Sequence, residues 1–364
     1  MRKALIIIIA LILMVPGYSV CEESVGEAIH FGDKSFEKAI REFINKPEGN
    51  IYKRDVEHIT YLEFSYVFGK CNYKINDRYF ENNPIISDID GIEHFTNLEF
   101  LFIANQEVKD IDNLGNITNL KRLYLPYNKI KNIESLKHLT KLTYLDVSEN
   151  QIEDIEPFRN LTNLKCANIE NNQINDIGPI EKLNKLEFLK LNNNQINDIK
   201  PLKKLSLLNY LELKGNDITD ISPLRDLFCL EYVYLEENDI TEIKPLENLL
   251  FLKHARLSNN KIKDINPVKG LNNLRVLTLD YNQISDITPL GSLTNLNVLD
   301  ISGNKIYNIN VLVNLNNLME LHLYDNKVKN IDVLRYLVNL KALYISRDQT
   351  SDIPSLKKIT GFVD

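Results

Sequence analysis

Six histidines and four cysteines are the residues of this chain best suited to catalysis or metal binding. No two histidines have the spacing of metal ligands, and the sequence contains no C-x-x-C, phosphate-binding loop or nucleophile motif. Cys166 and His254 fall four strands apart in the repeat described below, which is too far for a catalytic pair. We therefore expect a protein that is not an enzyme and that holds no metal or other cofactor.

Aromatic side chains recur along the chain at multiples of 22 residues, and this pattern points to recognition rather than to catalysis. Exposed aromatic rings bury a large area on binding and lose few rotamers. The ligand-binding residues we expect are Phe100, Phe102, Tyr124, Tyr127, Tyr144, Phe188, Tyr210, Tyr232, Tyr234 and Arg256. The alternative is that the rings only stack across neighbouring strands and stiffen a sheet. We favour binding, because large exposed apolar patches usually mark interaction sites.

A repeat of 22 residues positions these side chains. It starts as TNLEFLFIANQEVKDIDNLGNI at residues 96–117, occurs eleven times up to residue 337, and ends in a partial twelfth copy from Val338. Position 3 is Leu and position 16 is Ile in every copy, and apolar positions 6 and 8 alternate with 5, 7 and 9 as in a strand. Such a period with L-x-x-L-x-L-x-x-N is the leucine-rich repeat signature.

These columns predict an α/β solenoid, because a single coil cannot bury its own apolar face. We expect a right-handed arc with a parallel β-sheet on the concave side. Positions 5, 7 and 9 then face outward from the sheet. Proline at position 18 in seven copies predicts short 3₁₀ or helical turns on the convex side, with Ser222 and Thr288 as their N-caps.

Asparagine occupies position 11 in ten consecutive copies, from Asn128 to Asn326. A side-chain amide both donates and accepts hydrogen bonds. Each asparagine is therefore predicted to be buried at the bend after the strand and to bond the backbone of its own coil and of the adjacent one. Gln106 and Asp348 replace it in the terminal copies, which lack a neighbour on one side.

The chain begins with the pattern of a secretory signal peptide over residues 1–19. Arg2 and Lys3 precede an apolar run, and Gly17 and Ser19 have the small-x-small spacing of a cleavage site. Lipidation of Cys21 is an alternative that would attach the protein to a membrane, but the residues before Cys21 depart from the usual motif. We expect a secreted or surface protein of a bacterium and a monomer. The net charge of −7, with no basic patch, argues against nucleic-acid binding.

Residues 22–95 are predicted to form a helical cap and an interrupted first repeat. The apolar residues of DKSFEKAIREFINKPEG fall on one helical stripe, with Asp33 as N-cap. A strand at residues 58–64 then matches repeat positions 2 to 8, but an insertion at about 66–83, rich in aromatics, interrupts the coil. The insertion either extends the concave surface or packs on the cap or the convex side. Repeats follow at residues 96–356, and 357–364 form a tail.

The 22-residue repeats together with the cap sequence FEKAIREFINKPEGNI resemble the internalin-type bacterial leucine-rich repeat family. The resemblance covers residues 30–356 and implies a surface or secreted protein that binds another protein, often a host receptor, on its concave sheet. The sequence shows no immunoglobulin-like module after the repeats and no sorting motif, so it implies binding and not host-cell invasion. The competing hypothesis is a structural scaffold protein of the envelope without a strong specific ligand.

Overall fold

The fold is described from a computed structural model over residues 26–67, 70–76, 78–81 and 85–346. Several predictions from the sequence lie outside these residues. They are the signal peptide, lipidation at Cys21, the end of the twelfth repeat copy and the carboxyl-terminal tail.

One sheet of fifteen strands runs through this part of the chain, in the spatial order β15 to β4, then β1, β2 and β3. The strands are β1 (Tyr61–Val67), β2 (Lys70–Ile75), β3 (Arg78–Glu81), β4 (Phe100–Ala104), β5 (Arg122–Tyr124), β6 (Tyr144–Asp146), β7 (Cys166–Asn168), β8 (Phe188–Lys190), β9 (Tyr210–Glu212), β10 (Tyr232–Tyr234), β11 (His254–Arg256), β12 (Val276–Thr278), β13 (Val298–Asp300), β14 (Glu320–His322) and β15 (Ala342–Tyr344). From β4 to β15 every pairing is parallel and in register by one repeat, as in Tyr210↔Tyr232.

Short 3₁₀ helices on the return path of each coil complete the solenoid. They span Ile92–His94, Asp112–Asn116, Glu134–His138, Glu156–Asn160, Gly178–Lys182, Lys200–Lys204, Ser222–Asp226, Lys244–Leu246, Asn266–Val268, Thr288–Ser292, Asn310–Asn314 and Asp332–Tyr336. The Leu column at position 3 and the Ile column at position 16 lie in one continuous apolar cluster that reaches from the cap to Ile345. The predicted α/β leucine-rich repeat solenoid is confirmed.

The position-11 asparagines form the predicted hydrogen-bond ladder. In a representative coil, the amide of Asn216 donates to the carbonyls of Leu191 and Leu213, each at 3.0 Å. Its Oδ1 accepts from the backbone N–H of Ile196 at 3.0 Å. Gln106 takes the same role at the first full coil, since its Oε1 accepts from Ile86 N at 2.8 Å. The ladder therefore joins each coil to the one before it.

The prediction that Ser222 and Thr288 cap the convex turns is wrong. Each is the first residue inside its 3₁₀ helix, and the preceding isoleucine gives no side-chain cap. An aspartate carboxylate two residues earlier accepts the first backbone N–H of each 3₁₀ helix instead. Oδ1 of Asp220 accepts from Ser222 N at 2.7 Å, and Oδ1 of Asp286 accepts from Thr288 N at 2.9 Å. Asp favours this two-residue turn because its short side chain reaches its own backbone two residues on.

Two helices form the cap, α1 (Lys34–Ile44) and α2 (Lys53–Val56). The prediction of Asp33 as N-cap is confirmed, because its carboxylate accepts from Ser35 N at 2.7 Å and from Phe36 N at 3.2 Å. The helix ends at Ile44, and its C-cap residue Asn45 adopts the left-handed conformation with φ of 54°. The fully buried ring of Phe36 packs with Phe95, at 6.1 Å between centroids, and so covers the open end of the apolar column.

The insertion lengthens the sheet at its amino-terminal edge. Strand β1 pairs in parallel with β4, so that Tyr61 lies beside Phe100, which places β1 at the strand position of a first coil. Strands β2 and β3 of the insertion then pair antiparallel with β1 and with each other. Ile75 pairs with Leu62 and is buried, so the inner strand of this hairpin, β2, continues the buried face of the sheet.

Candidate functional site

Side chains at repeat positions 5 and 7 form the outer surface of the concave sheet. In β8, Phe188 and Lys190 are half-buried while Leu189 between them is fully buried. The same alternation holds in β10, where Val233 is buried between two half-buried tyrosines. The pleat of a strand produces this pattern, because successive side chains point to opposite faces.

One group of concave rings lies at the amino-terminal end of the sheet and is called the N-terminal aromatic cluster: Tyr61, Phe100, Phe102 and Tyr124. Tyr61 and Phe100 stack face to face, with 4.2 Å between centroids and 2° between planes. Tyr124 lies at 5.6 Å from Phe100 and 5.9 Å from Phe102. The cluster spans three neighbouring strands.

A second group, the central aromatic cluster, consists of Phe188, Tyr210, Tyr232, Tyr234 and His254. Phe188 and Tyr210 stack at 4.2 Å and 14°. Tyr210 then contacts Tyr232 at 5.4 Å and Tyr234 edge-on at 5.5 Å, and Tyr232 meets His254 edge-on at 4.9 Å. The cluster is an ordered apolar surface across strands β8 to β11.

Cationic groups lie over several of these rings. The Lys190 ammonium is 5.7 Å from the centroid of Phe188, and the Arg256 guanidinium is 4.8 Å from that of Tyr234. In the N-terminal aromatic cluster, Arg122 lies 5.7 Å from Phe100. Because a cation is attracted to the face of an aromatic ring, these contacts help to fix the long basic side chains in place.

A buried carboxylate, Glu212, holds the middle of the central aromatic cluster. Its Oε1 accepts a short hydrogen bond from the Tyr210 hydroxyl and lies 3.3 Å from Lys190 Nζ, and its Oε2 accepts from the Asn192 amide. Burial, followed by the Glu212 carboxylate, raises the pKa of Tyr210 far above its usual value. The hydrogen bond to Glu212 and the stacking on Phe188 together hold the Tyr210 ring in one orientation.

Two polar groups next to Tyr232 and Tyr234 in the same cluster lack part of their hydrogen bonding. Oε2 of Glu236 and Nδ1 of His254 are buried and have no hydrogen-bond partner among the described residues. Burial raises the pKa of Glu236, although Arg256 lies 3.9 Å from its Oε1. Burial and the neighbouring cations, Arg256 first among them, lower the pKa of His254. A ligand that approaches here could offer a hydrogen bond to either group.

Eight of the ten residues predicted as binding residues fall in or beside the two clusters. The structure places Tyr144 on the concave face between them, 39% exposed. Tyr127 is 57% exposed and lies apart, at position 10 in the turn after β5, with a positive φ of 56°. The Glu149 carboxylate raises the pKa of Tyr127, so this ring lies beside an acidic side chain of the next coil and outside both aromatic clusters.

No group of three or more His, Cys, Asp or Glu residues is arranged to hold a metal ion within the described part of the chain. Over the same residues, no helix combines the length and apolarity that crossing a bilayer requires.

Comparison with known proteins identifies the architecture independently. A family model of leucine-rich repeats in two copies matches residues 118–160, 162–204, 251–292 and 272–317. The chain is 33% identical to an internalin, InlF, of Listeria monocytogenes, over 92% of this chain and 94% of that one, with a TM-score of 0.82. The chain belongs to the internalin family.

More distant structures share the fold. The functional domain of InlJ from Listeria monocytogenes is 22% identical over 88% of this internalin and 76% of its own length, with a TM-score of 0.64. A second structure is the leucine-rich repeat ectodomain of the Arabidopsis thaliana receptor kinase GASSHO1/SCHENGEN3, solved in complex with CASPARIAN STRIP INTEGRITY FACTOR 2. It is 22% identical over 71% of this internalin and 37% of its own chain, with a TM-score of 0.58. A search of curated protein sequences finds no match.

Three residues of this internalin's concave surface received no definite role from the sequence: Tyr61 was not singled out, and Lys190 and Glu212 were expected on this face either as specificity-tuning charges or as ordinary solvated surface. Tyr61 falls at position 5 of the first coil, so aligning its strand with the aromatic column would have found it. Lys190 and Glu212 lie in the position-7 column, but nothing in that column distinguishes them from solvated charges. Only the contacts between coils show that they hold Phe188 and Tyr210 in place.

Proposed function

We propose that this internalin is an exported recognition protein whose concave sheet binds a protein ligand, with the central aromatic cluster as its anchor. The ligand class is a host or other cell-surface protein, which is the class that membership of the family suggests. Export rests on the signal-peptide pattern of residues 1–19. The protein would act as a monomer and would perform no catalysis.

The observation that carries the proposal is the order of the central aromatic cluster. Phe188, Tyr210 and Tyr232 remain partly exposed, yet ring stacking and the Glu212 carboxylate fix their positions. Aromatic anchors that are rigid before binding lose little entropy when a partner covers them. A surface of this kind is costly to leave in water unless a ligand covers it.

The same stacking also supports the second candidate, a scaffold in which the rings only stiffen the sheet. Cross-strand aromatic pairs contribute on the order of 0.5–1 kcal/mol to stability. The two candidates differ in what removal of the rings would change. Recognition predicts loss of binding, whereas a scaffold predicts loss of stability and nothing else.

The test compares two triple variants of the mature protein. Tyr210→Ser, Tyr232→Ser and Tyr234→Ser remove the central rings. Val276→Ser, Val298→Ser and Glu320→Ser make the matched change at position 5 of the three coils from residue 272. Both are measured by thermal unfolding and by binding to an array of purified host cell-surface ectodomains.

We expect the wild type and the position-5 control to bind the same ectodomain with similar affinity. The central triple variant should lose at least about 100-fold in affinity, since buried aromatic anchors each contribute on the order of 2 kcal/mol. Equal binding by all three proteins, or no binding ectodomain for the wild type, would refute the proposal and favour the scaffold.

A further inference from the structure

Three neighbouring coils carry apolar residues in the turn that leads into the strand, at repeat positions 1 and 2. In the eight other full repeats both positions hold Thr, Asn or Lys. Here four large apolar side chains stand in water, with exposed fractions of 50% for Leu207, 52% for Phe228, 53% for Leu250 and 62% for Phe251. The exposed Cys229 lies among them. These five residues are called the flank patch.

Position 2 has a structural role elsewhere in the solenoid. The Asn119 amide donates to the Thr96 carbonyl of the previous coil at 2.8 Å, and Asn163 does the same to Thr140 at 2.8 Å. Where position 2 is Lys, the ammonium bonds the asparagine of the previous coil, as from Lys185 to Asn163 at 2.6 Å. The series resumes after the flank patch, where Asn273 donates to the Leu250 carbonyl at 2.8 Å.

The flank patch interrupts this second ladder in three successive coils. Leu207 and Phe251 occupy position 2 there and have no side-chain donor, and Cys229 offers only a thiol, which is a weak donor. The chain thus gives up the amide-to-carbonyl bonds of this ladder in three coils and exposes apolar surface at the same place. Neither change benefits the isolated fold, so the benefit has to come from something that covers the patch.

The patch is continuous with the central aromatic cluster. Tyr210, Tyr232 and His254 are position 5 of the same three coils, and three residues of extended chain from position 2 to position 5 span about 10 Å. Between the two surfaces, at position 4, Glu231 and Lys253 form an ion pair at 2.6 Å and neutralise one another. The border between the two surfaces is therefore electrically balanced and does not select a charged partner.

The size of the patch argues against a partner of its own. Four half-exposed Leu and Phe side chains offer roughly 400 Å² of apolar area. A stable interface takes about 800 Å² from each partner, so the flank patch alone is too small to hold a dimer of this chain. Together with the partly exposed rings of the concave face, the patch forms a larger apolar surface than it does alone.

We infer that the flank patch is the second half of the ligand interface, on which an uncharged apolar loop or helix of the protein ligand docks while the rest of that ligand occupies the concave sheet. This inference rests on the proposed function and adds the path that the ligand follows, from β9–β11 around the amino ends of these strands.

The test restores the residues that the repeat uses elsewhere. A flank variant combines Leu207→Asn, Phe228→Thr, Cys229→Asn, Leu250→Thr and Phe251→Asn. It should raise the midpoint of thermal unfolding by roughly 2–4 °C, because the Asn ladder becomes continuous. It should nevertheless weaken binding to the ectodomain found with the wild type by at least about tenfold. Gain of stability with loss of binding is a pair of results that a structural role for the patch does not produce.

Val338→Thr is the matched control. Val338 is an apolar position-1 residue, 79% exposed, in a coil far from the patch, and its replacement should leave binding unchanged. Wild-type affinity in the flank variant would overturn the inference even if the central triple variant lost binding. A dimer in sedimentation equilibrium that the flank variant abolishes would also overturn it, since the occupant would then be a second copy.

A second measurement does not depend on an ectodomain. A random-peptide phage library is selected on the wild-type protein, and the recovered peptides are tested on the flank variant and on the central triple variant. We expect uncharged aromatic peptides whose retention falls at least about tenfold on the flank variant. If every recovered peptide is retained equally by the wild type and the flank variant, the patch has no docking function, whichever result the concave face gives.

Discussion

At the residue scale, the residue at repeat position 10 adopts a left-handed backbone conformation in every described repeat. Its φ is positive at Asn, Gly and Asp, as those residue types allow, but also at Tyr127, Glu149, Glu237 and Tyr281, with values of 52–56°. The left-handed region costs a residue with a Cβ roughly 1–2 kcal/mol. The chain tolerates this cost because the Asn ladder at position 11 holds the bend from the following residue.

The glycine at this position in one coil permits a direct test. Gly303 has a φ of 60°, and a Cβ there would lie 2.6 Å from a ring carbon of Tyr281 in the preceding coil. Gly303→Ala should therefore lower the free energy of unfolding by about 1–3 kcal/mol in urea denaturation. Gly270→Ala is the control, because a Cβ at Gly270 meets nothing within 4 Å and should change stability by less than about 0.5 kcal/mol. Equal effects of the two variants would contradict this account of the turn.

A second prediction concerns the pH dependence of His254. Burial and the cations Arg256, Arg275 and Lys253 lower its folded-state pKa below the usual histidine value of about 6.5. Below that value the unfolded chain binds a proton more readily than the folded one, so stability is complete above it and is lost as the pH falls through the depressed pKa. The drop in thermal midpoint from pH 7.5 to about pH 5 should be larger for the wild type than for His254→Gln. Parallel pH profiles of the two proteins would show that His254 titrates normally.

At the element scale, the strands and the core could be predicted because each column repeats the same physical requirement. Leu at position 3 and Asn at position 11 recur too often to serve anything but packing between coils. The capping role of Ser222 was wrong because both its backbone N–H and its hydroxyl donate to the Asp220 carboxylate, which starts the turn one position before Ile221. The packing of the insertion could not be predicted, because β2 and β3 each occur only once and no repeat column shows which strand they pair with.

The candidate site was only partly accessible to the same reasoning. The aromatic column located the concave surface, since alternation along a strand fixes which side chains face outward. Contacts that depend on rotamers, such as the bond from Tyr210 to Glu212, have no signature in a single sequence. The flank patch could not be predicted for another reason: its residues depart from the repeat, whereas a repeat pattern predicts only the features that recur in every coil.

The cap helix gives the prediction at this scale. Asp33 both caps α1 and accepts from the backbone N–H and the hydroxyl of Ser87, at 2.9 and 3.0 Å, which ties the helix to the first return path. Asp33→Ala should cost about 1–2 kcal/mol of stability in urea denaturation. Glu48→Ala, an exposed change in the same cap, should cost less than about 0.5 kcal/mol. A neutral Asp33→Ala would mean that the cap is held by its apolar face alone.

At the scale of the whole molecule, constant and variable columns separate fold from function. The buried columns keep the same residue types from coil to coil, because each coil presents the same face to its neighbours. The surface columns at positions 1, 2, 5 and 7 change character along the arc, and two of the changes coincide. The flank patch lies in the coils that start at residues 206, 228 and 250, and the central aromatic cluster lies in the same coils apart from Phe188, which is in the coil before them. The packing between coils is thus the same along the whole stack, whereas the proposed binding surface is confined to a few neighbouring coils.

Removing whole coils separates these two properties. Deletion of residues 272–293 and deletion of residues 228–249 each join position 22 to position 1, so the apolar columns and the Asn ladder keep their period. Because packing is between nearest neighbours, both proteins should unfold cooperatively, with thermal midpoints within roughly 5 °C of one another. Only the deletion of 228–249 removes Tyr232, Tyr234 and Phe228, so it alone should abolish ectodomain binding. Equal loss of binding in the two deletion variants would mean that binding depends on the length and curvature of the whole solenoid and not on a local group of anchor residues.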